Sequence, residues 1–312
     1  MNHMPNDASN ESSPSNEAPQ IFEHLVPRAR EAAAQNGTTR IEIIRGDWVI
    51  RHAAVAQGLN VARWLLEGPR RTRTTGLLVT GPVGAGKTTL ANLIKRSYPA
   101  SADSDDEPIV MICMTGARHM RTVYGRILEA LNGPVKATHH TADREMAALR
   151  LLRAVKCRGL IVDEVQDVLA GNVNEQRRTL DGLKYIMNEV QLPIIAMGTE
   201  GAAEAFRSDK HMDKRFDRLV LPTWSVGPEL AALLTSVARI LPLRRPSHLA
   251  TKDIMELLVD ETDGSLHDMM TLVRHAAVEA ILSGSECITL GDLQAARAIP
   301  NMEAIDHVDD DL

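Results

Sequence analysis

Cysteine is nearly absent: Cys113, Cys157 and Cys287 are the whole complement of a 312-residue chain. An odd number at wide spacing supplies neither a disulfide framework nor a C-x-x-C metal or redox pair. Aromatics are equally scarce, with three each of Trp, Tyr and Phe, too few for a platform that stacks single-stranded bases. Hydrophobic runs such as Leu192–Met197 fall far short of a bilayer span. The first twenty residues have neither a basic start nor an apolar stretch, so they do not read as a secretory signal. These absences predict a soluble, cytoplasmic protein. Positive charge is in deficit too, at 35 Lys+Arg against 41 Asp+Glu for a net −6, which excludes a broadly basic coat. That deficit sits at the ends. Residues 1–20 contribute −3 and residues 299–312 contribute −5, leaving +2 on residues 21–298. A local positive channel is therefore allowed in the body of the chain.

What is present is a 44% hydrophobic composition, enough for a sizeable core. Between the tails, short apolar runs alternate with longer helical patterns, the signature of a parallel α/β sheet. Five strands are expected at Gly76–Thr80, Pro108–Met114, Gly159–Asp163, Leu192–Gly198 and Arg218–Leu221, with helices over 87–98, 118–132, 142–157, 174–190 and 201–217. After Pro222 the pattern is helical only. Leu230, Leu233, Leu234, Val237 and Leu241 share one apolar helix face, and so do Leu266, Met269, Met270, Val273, Ala277 and Ile281. The expected organisation is a disordered tail (1–20), a helical or extended segment (21–75), an α/β core (76–222), a small helical domain (223–298) and an acidic tail (299–312). The tails are too polar to offset their ordering entropy.

Gly81-Pro82-Val83-Gly84-Ala85-Gly86-Lys87-Thr88 fits G-x-x-x-x-G-K-[ST] between an expected strand and an expected helix. Glycines there let successive backbone N–H groups face phosphate oxygens at a helix N-terminus. Gly81, Pro82, Gly84, Ala85, Gly86, Lys87, Thr88 and Thr89 are thus candidate ATP-binding residues. Lys87 would reach the β- and γ-phosphates, and Thr88 would offer its hydroxyl to Mg²⁺. Leu160-Ile-Val-Asp163-Glu164 is an apolar strand ending in two carboxylates. Asp163 would hold Mg²⁺ through water and Glu164 would orient the attacking water. Thr199, at the end of the fourth strand, suits either a γ-phosphate sensor or an ordinary helix N-cap. Arg215 suits either a contact to a neighbouring subunit's γ-phosphate or a surface pair with Asp213 or Asp217.

These residues resemble the AAA+ ATPases, and within them the transposition ATPases of the TniB/TnsC type, with MuB more distant. The likeness runs over roughly residues 40–285. Its more specific elements are Arg45-Gly-Asp-Trp48, Asp163-Glu164, Leu169-Ala170-Gly171, Gln176-Arg177, Leu183-Lys184, Asn188-Glu189, Leu192-Pro-Ile-Ile195, Gly198-Thr199, Asp209, Arg215-Phe216 and Leu221-Pro-Thr-Trp224. The resemblance implies an AAA+ P-loop core with a five-stranded parallel sheet and a small helical lid. It implies a protein that binds ATP and Mg²⁺ and assembles as a ring or helical homo-oligomer on duplex DNA. It further implies recruitment of a DDE-type transposase beside a TniQ-like adaptor, and release on hydrolysis. Lys87, Thr88, Asp163 and Glu164 take the Walker roles and Arg215 the trans arginine. The segment after the second strand would face the DNA channel through Arg118, His119, Arg121, Lys136 and Thr138, contacting backbone rather than bases.

Three departures stand out. Gly84-Ala85-Gly86-Lys87 lacks the asparagines frequent in the family, Gln166 replaces a frequent histidine, and Gly264-Ser265-Leu266-His267 replaces a lid Gly-x-x-Arg. The last suggests slow, regulatory hydrolysis, with His267 either on phosphate or on the helix surface. A protein-binding switch such as a helicase loader, and a small-molecule kinase, remain as alternatives.

Overall fold

The computed structural model describes residues 22–46, 49–71, 73–100, 105–117, 119–169 and 171–296. Asp47, Trp48, Arg118 and Ala170 lie outside them, as do both expected tails.

Five parallel strands form one sheet: β1 (Gly76–Thr80), β2 (Ile109–Cys113), β3 (Gly159–Asp163), β4 (Ile194–Gly198) and β5 (Phe216–Val220), in the order β2-β3-β4-β1-β5. The three inner strands, GLLVT, GLIVD and IIAMG, are buried at every position, as near-continuous apolar runs must be when helices cover both faces. On one face lie α3 (Ala53–Glu67) and α4 (Lys87–Ser97), which bury Val55, Ala62, Leu66, Leu90, Ala91 and Ile94 against Leu77, Val79, Ile161 and Ile195. The opposite face is covered by α5 (Met120–Ala130), α6 (Thr141–Ala154), α8 (Val173–Val190) and α9 (Glu200–Ser208). Between β3 and α8 runs the five-residue helix α7 (Val165–Leu169). Asn172 and Glu175 close the start of α8 reciprocally, each side chain accepting the other's backbone N–H at 3.0 Å.

Three expected boundaries are corrected. The helix expected over 201–217 is instead α9, then the one-turn α10 (Lys210–Asp213), then the start of β5. Asp209 breaks it: its backbone is extended, and its Oδ1 accepts the N–H groups of His211 and Met212 at 2.8 and 3.0 Å. A short acceptor placed there caps a new helix more favourably than it continues an old one. β5 therefore begins at Phe216, two residues before the expected Arg218. As an edge strand it buries only Phe216 and Leu219, so its exposed Asp217 and Arg218 mimic a polar helix face. The fourth strand begins at Ile194 rather than Leu192, because Pro193 has no N–H for the ladder and its carbonyl accepts from Leu160 at 3.1 Å.

Beyond the sheet, α11 (Pro228–Ile240), α12 (Lys252–Thr262), α13 (Leu266–Leu282) and α14 (Leu290–Ala296) form the helical lid around Leu234, Val237, Leu258, Met269, Val273 and Ala277. The expected apolar faces are the buried ones, with Leu266 half-buried at the start of α13. Preceding the core, α1 (Pro27–Ala33) and α2 (Gly37–Arg45) pack on this lid, with Ile44 inside its core. Arg40, 3% exposed, clamps α2 to the lid by donating to both Glu286 carboxylate oxygens at 2.6 and 2.7 Å and to the Pro242 carbonyl at 3.2 Å. Arg244 donates back to the carbonyls of Ala33 and Gln35 at 3.2 Å.

Candidate nucleotide-binding site

The three inner strands all deliver their C-terminal ends to one place. From β1 the chain enters the Gly81–Gly86 turn, where Gly84 (φ +77°) and Gly86 (φ +92°) adopt the left-handed conformation that glycine allows cheaply. Gly86 is the N-cap of α4 and offers no side chain to it, so the first amides of α4 remain open to an anion. Ala85 is buried, its N–H turned onto the Pro82 carbonyl at 3.3 Å. Lys87, 6% exposed, reaches back along this turn, donating through Nζ to the carbonyls of Gly81 (2.9 Å) and Pro82 (2.7 Å). Burial pushes its ammonium below the usual lysine range, and the charges of Glu164 and Asp163 partly offset that push. Thr89 is exposed one position further along α4.

From β3 comes Asp163, buried at 3% exposure. Thr88 donates its hydroxyl to Asp163 Oδ2 at 2.7 Å, so the two oxygen ligands predicted for Mg²⁺ are in contact. Hard, oxygen-only donors with one carboxylate suit that ion. Glu164 follows with φ +54°, an unusual value for a residue with a side chain, and its N–H donates to Asp163 Oδ1 at 2.9 Å. From β4, between β1 and β3, comes Thr199. It occupies the N-cap position of α9 but makes no side-chain cap bond. Its backbone N–H instead donates to Gln166 Oε1 at 3.2 Å, and Gln166 Nε2 donates to Glu164 Oε2.

The lid closes one side of this site. Ser265 caps α13, and the His267 backbone N–H donates to the Gly84 carbonyl at 3.1 Å while the His267 side chain is exposed. In the sequence His267 stands out only as a departure from an arginine, and its backbone contact leaves no sequence signal. Nothing in the sequence marks His52, whose ring meets Trp224 edge-on at 5.2 Å and 84°. Burial holds that imidazole below its ordinary value. Gln166 was visible only as a residue standing where another is frequent.

Arg215 is elsewhere. Its carbonyl accepts from Gly76 at 2.8 Å, at the N-terminal end of β1, and its guanidinium donates to Asn188 Oδ1 at 2.8 Å. The expected surface partner Asp213 pairs with Arg218 instead. Among the residues expected on DNA, Arg118 is outside the described set, and His119, Lys136 and Thr138 are exposed. Arg121 is bonded within the chain, donating to the carbonyls of Ala137 (2.6 Å) and His139 (3.1 Å) and drawing the 136–139 loop onto α5. Nearby, Asp167 Oδ2 accepts the Gly116 N–H at 2.8 Å. Arg70 donates to the carbonyls of Val190 and Cys157 at 3.1 and 3.2 Å. Among the described residues, no group of His, Cys, Asp and Glu is arranged to hold a metal by itself, and no helix is long and apolar enough to cross a membrane.

Comparison with known proteins agrees with this geometry. The family described as bacterial TniB protein matches residues 40–226. No curated protein matches at the sequence level. Among solved structures, the Aeropyrum pernix ORC2 protein in ADPNP and ADP complexes is similar at TM-score 0.60 and 16% identity, over 86% of this chain and 74% of that one. The Aeropyrum pernix ORC1 protein in complex with DNA is similar at TM-score 0.60 and 19% identity, over 83% and 68%. Cdc6p from Pyrobaculum aerophilum follows at TM-score 0.56 and 15% identity, over 86% and 74%. The shared architecture is the AAA+ P-loop ATPase fold, a five-stranded parallel sheet with a helical lid.

Proposed function

The chain belongs to the TniB family, and from that premise we propose an ATP-hydrolysing regulator of transposition that assembles on duplex DNA. The observation that carries the ATPase half is the convergence of Lys87, Thr88, Asp163 and Glu164, joined by the Thr88–Asp163 contact at 2.7 Å. The open amides of the turn and of α4 receive the phosphates. Lys87 exchanges the Gly81 and Pro82 carbonyls for phosphate oxygens, because an ammonium bonds an anionic oxygen more strongly than a neutral carbonyl. Thr88 and Asp163 hold Mg²⁺, whose charge offsets that of the phosphates. Glu164 orients and polarises the attacking water, and Thr199 lies where a γ-phosphate is sensed. Arg215 serves a neighbouring copy. A kinase reading fits less well, since a carboxylate next to Asp163 suits water activation rather than delivery of a metabolite hydroxyl.

The DNA half rests on family membership, on the slightly basic body, and on similarity to an ORC1 protein solved in complex with DNA. Arg118, His119, Lys136 and Thr138 are the proposed backbone contacts, with Arg121 shaping the loop that presents the last two. A DDE-type transposase and a TniQ-like adaptor are the proposed protein partners. That Arg121 is engaged with carbonyls favours one second reading, a protein-binding switch whose ATPase responds to a partner without DNA.

The test is duplex binding by fluorescence anisotropy with and without a non-hydrolysable ATP analogue. ATP-dependent binding that weakens steeply with salt supports the proposal, and absence of binding at low salt refutes the DNA half. In parallel, Glu164→Gln should keep ATP binding while hydrolysis falls about a hundredfold, and Lys87→Ala should abolish binding. Equal hydrolysis by wild type and Glu164→Gln removes Glu164 from its role.

A further inference from the structure

Glu164 is the candidate water-orienting group, yet its own strand leaves its carboxylate poorly fixed. The residue follows the last position of β3, in a left-handed backbone conformation, and a glutamate has three rotatable side-chain bonds. What fixes the carboxylate is Gln166. One end of its carboxamide donates to Glu164 Oε2, and the other accepts the backbone N–H of Thr199 at the end of β4. β4 is the middle strand of the sheet and is buried throughout, so this anchor is rigid. The site is fitted to the amide: a Cβ on Gly198 would stand 2.7 Å from Gln166 Oε1. Only a group with a donor and an acceptor across one plane joins a carboxylate to an N–H in this way.

We propose that Gln166 is a positioning residue for hydrolysis, tying Glu164 to the end of β4 so that its other carboxylate oxygen is held toward the attacking water. The inference rests on the ATPase reading above. Gln166 acts through Glu164, its carboxamide being taken up by Glu164 Oε2 and the Thr199 N–H. Because the link ends on the amide of Thr199, movement of that residue against a γ-phosphate is passed to Glu164 through one rigid carboxamide.

Two variants separate the ends of the link. Gln166→Met keeps length and removes both hydrogen bonds. Gln166→Glu keeps an acceptor for Thr199 and loses the donor to Glu164. In the nucleotide-free protein, amide hydrogen exchange at Thr199 should accelerate in Gln166→Met and stay at the wild-type rate in Gln166→Glu. With ATP, Gln166→Met should lower kcat about tenfold with KM within about twofold, the signature of lost orientation rather than lost binding. In Gln166→Glu a like charge replaces the donor to Glu164, so kcat should fall at least as far as in Gln166→Met, with KM again within about twofold. A structural role alone would not lower kcat at constant KM while the Thr199 amide stays protected in Gln166→Glu. Wild-type protein that turns over no ATP defeats the ATPase reading, and this inference with it. Turnover in wild type with kcat unchanged or raised in Gln166→Met, or a loss confined to KM, defeats the inference alone. Should Gln166→Met fail to fold, Gln166→Glu decides: a wild-type kcat in that variant refutes the link.

Discussion

Gly84 and Gly86 allow the contact between lid and phosphate loop to be weighed on its own. Both have positive φ, +77° and +92°, so alanine at either position costs about 1–2 kcal/mol of backbone strain. The surroundings differ. A Cβ at Gly86 meets nothing within 4 Å, whereas at Gly84 it comes within 2.7 Å of Ser265 Oγ and 3.0 Å of His267 Cβ. The Ser265 hydroxyl can rotate away. His267 Cβ cannot move without its backbone in the first turn of α13, and displacing that turn breaks the 3.1 Å bond from the His267 N–H to the Gly84 carbonyl. Such a bond contributes ~0.5–1.5 kcal/mol. Gly84→Ala should therefore destabilise the nucleotide-free protein by about 1 kcal/mol more than Gly86→Ala. Urea unfolding gives the difference, and the shared strain cancels in it. Hydrogen exchange localises it: the His267 amide should exchange roughly fivefold faster in Gly84→Ala and at the wild-type rate in Gly86→Ala. Equal destabilisation, with His267 equally protected in both variants, would show that the lid does not rest on the loop.

Two further outcomes follow from the same coordinates. Burial alone would raise the Glu286 carboxyl, but hydrogen bonds from Arg40 and the Arg244 amide, with both guanidinium charges, hold it below the ordinary carboxylate range. Its folded value lies below its unfolded one, so its stabilisation is complete above the unfolded carboxylate range and is lost as pH falls through the folded value. Glu286→Gln should cost about 3 kcal/mol near neutrality by leaving Arg40 uncompensated; thermal melts should show that gap closing in acid, and a pH-independent gap refutes the clamp. Arg215→Ala should shift stability by no more than about 0.5 kcal/mol, its Asn188 bond being at the surface, yet abolish hydrolysis by the assembled protein. Mixing it with Glu164→Gln chains, which bind ATP and retain Arg215, should restore part of the activity; no recovery refutes a role in trans.

Legibility in the sequence followed how local each piece of chemistry is. The turn from Gly81 to Thr88 and the Asp163-Glu164 pair are contiguous residues at strand ends, so motif and context announced them together. The lid helices were equally plain, because Leu230, Leu233, Leu234 and Val237 repeat at helical spacing and are buried as a set. What escaped depends on partners far along the chain or on backbone atoms. Gln166 meets Thr199 33 positions away, and His267 meets Gly84 through an amide that every non-proline residue carries. Arg70 and Arg244 close the carbonyl ends of distant segments, and composition does not show which arginines do so. Asp209 misled for a different reason: a polar residue inside a helical pattern reads as surface until its two accepted N–H bonds mark it as a cap.

The placement of Arg215 carries a last consequence about assembly. β1 and β5 pair in parallel, with Gly76 opposite Phe216 and Thr80 opposite Val220. The phosphate loop leaves the Thr80 end, and Arg215 enters at the Gly76 end. Five residues of strand, roughly 15 Å, therefore separate the arginine from its own loop, with the width of the buried sheet between them. No rotamer of Arg215 crosses that distance, and a fold this tightly packed on both faces does not bend to shorten it. An arginine finger at this position can act only on nucleotide held by another copy. On the proposed reading, a solitary chain would bind ATP with Lys87, Thr88 and Asp163 but lack one cation of the hydrolytic site, so its turnover should rise with protein concentration even before any DNA is added.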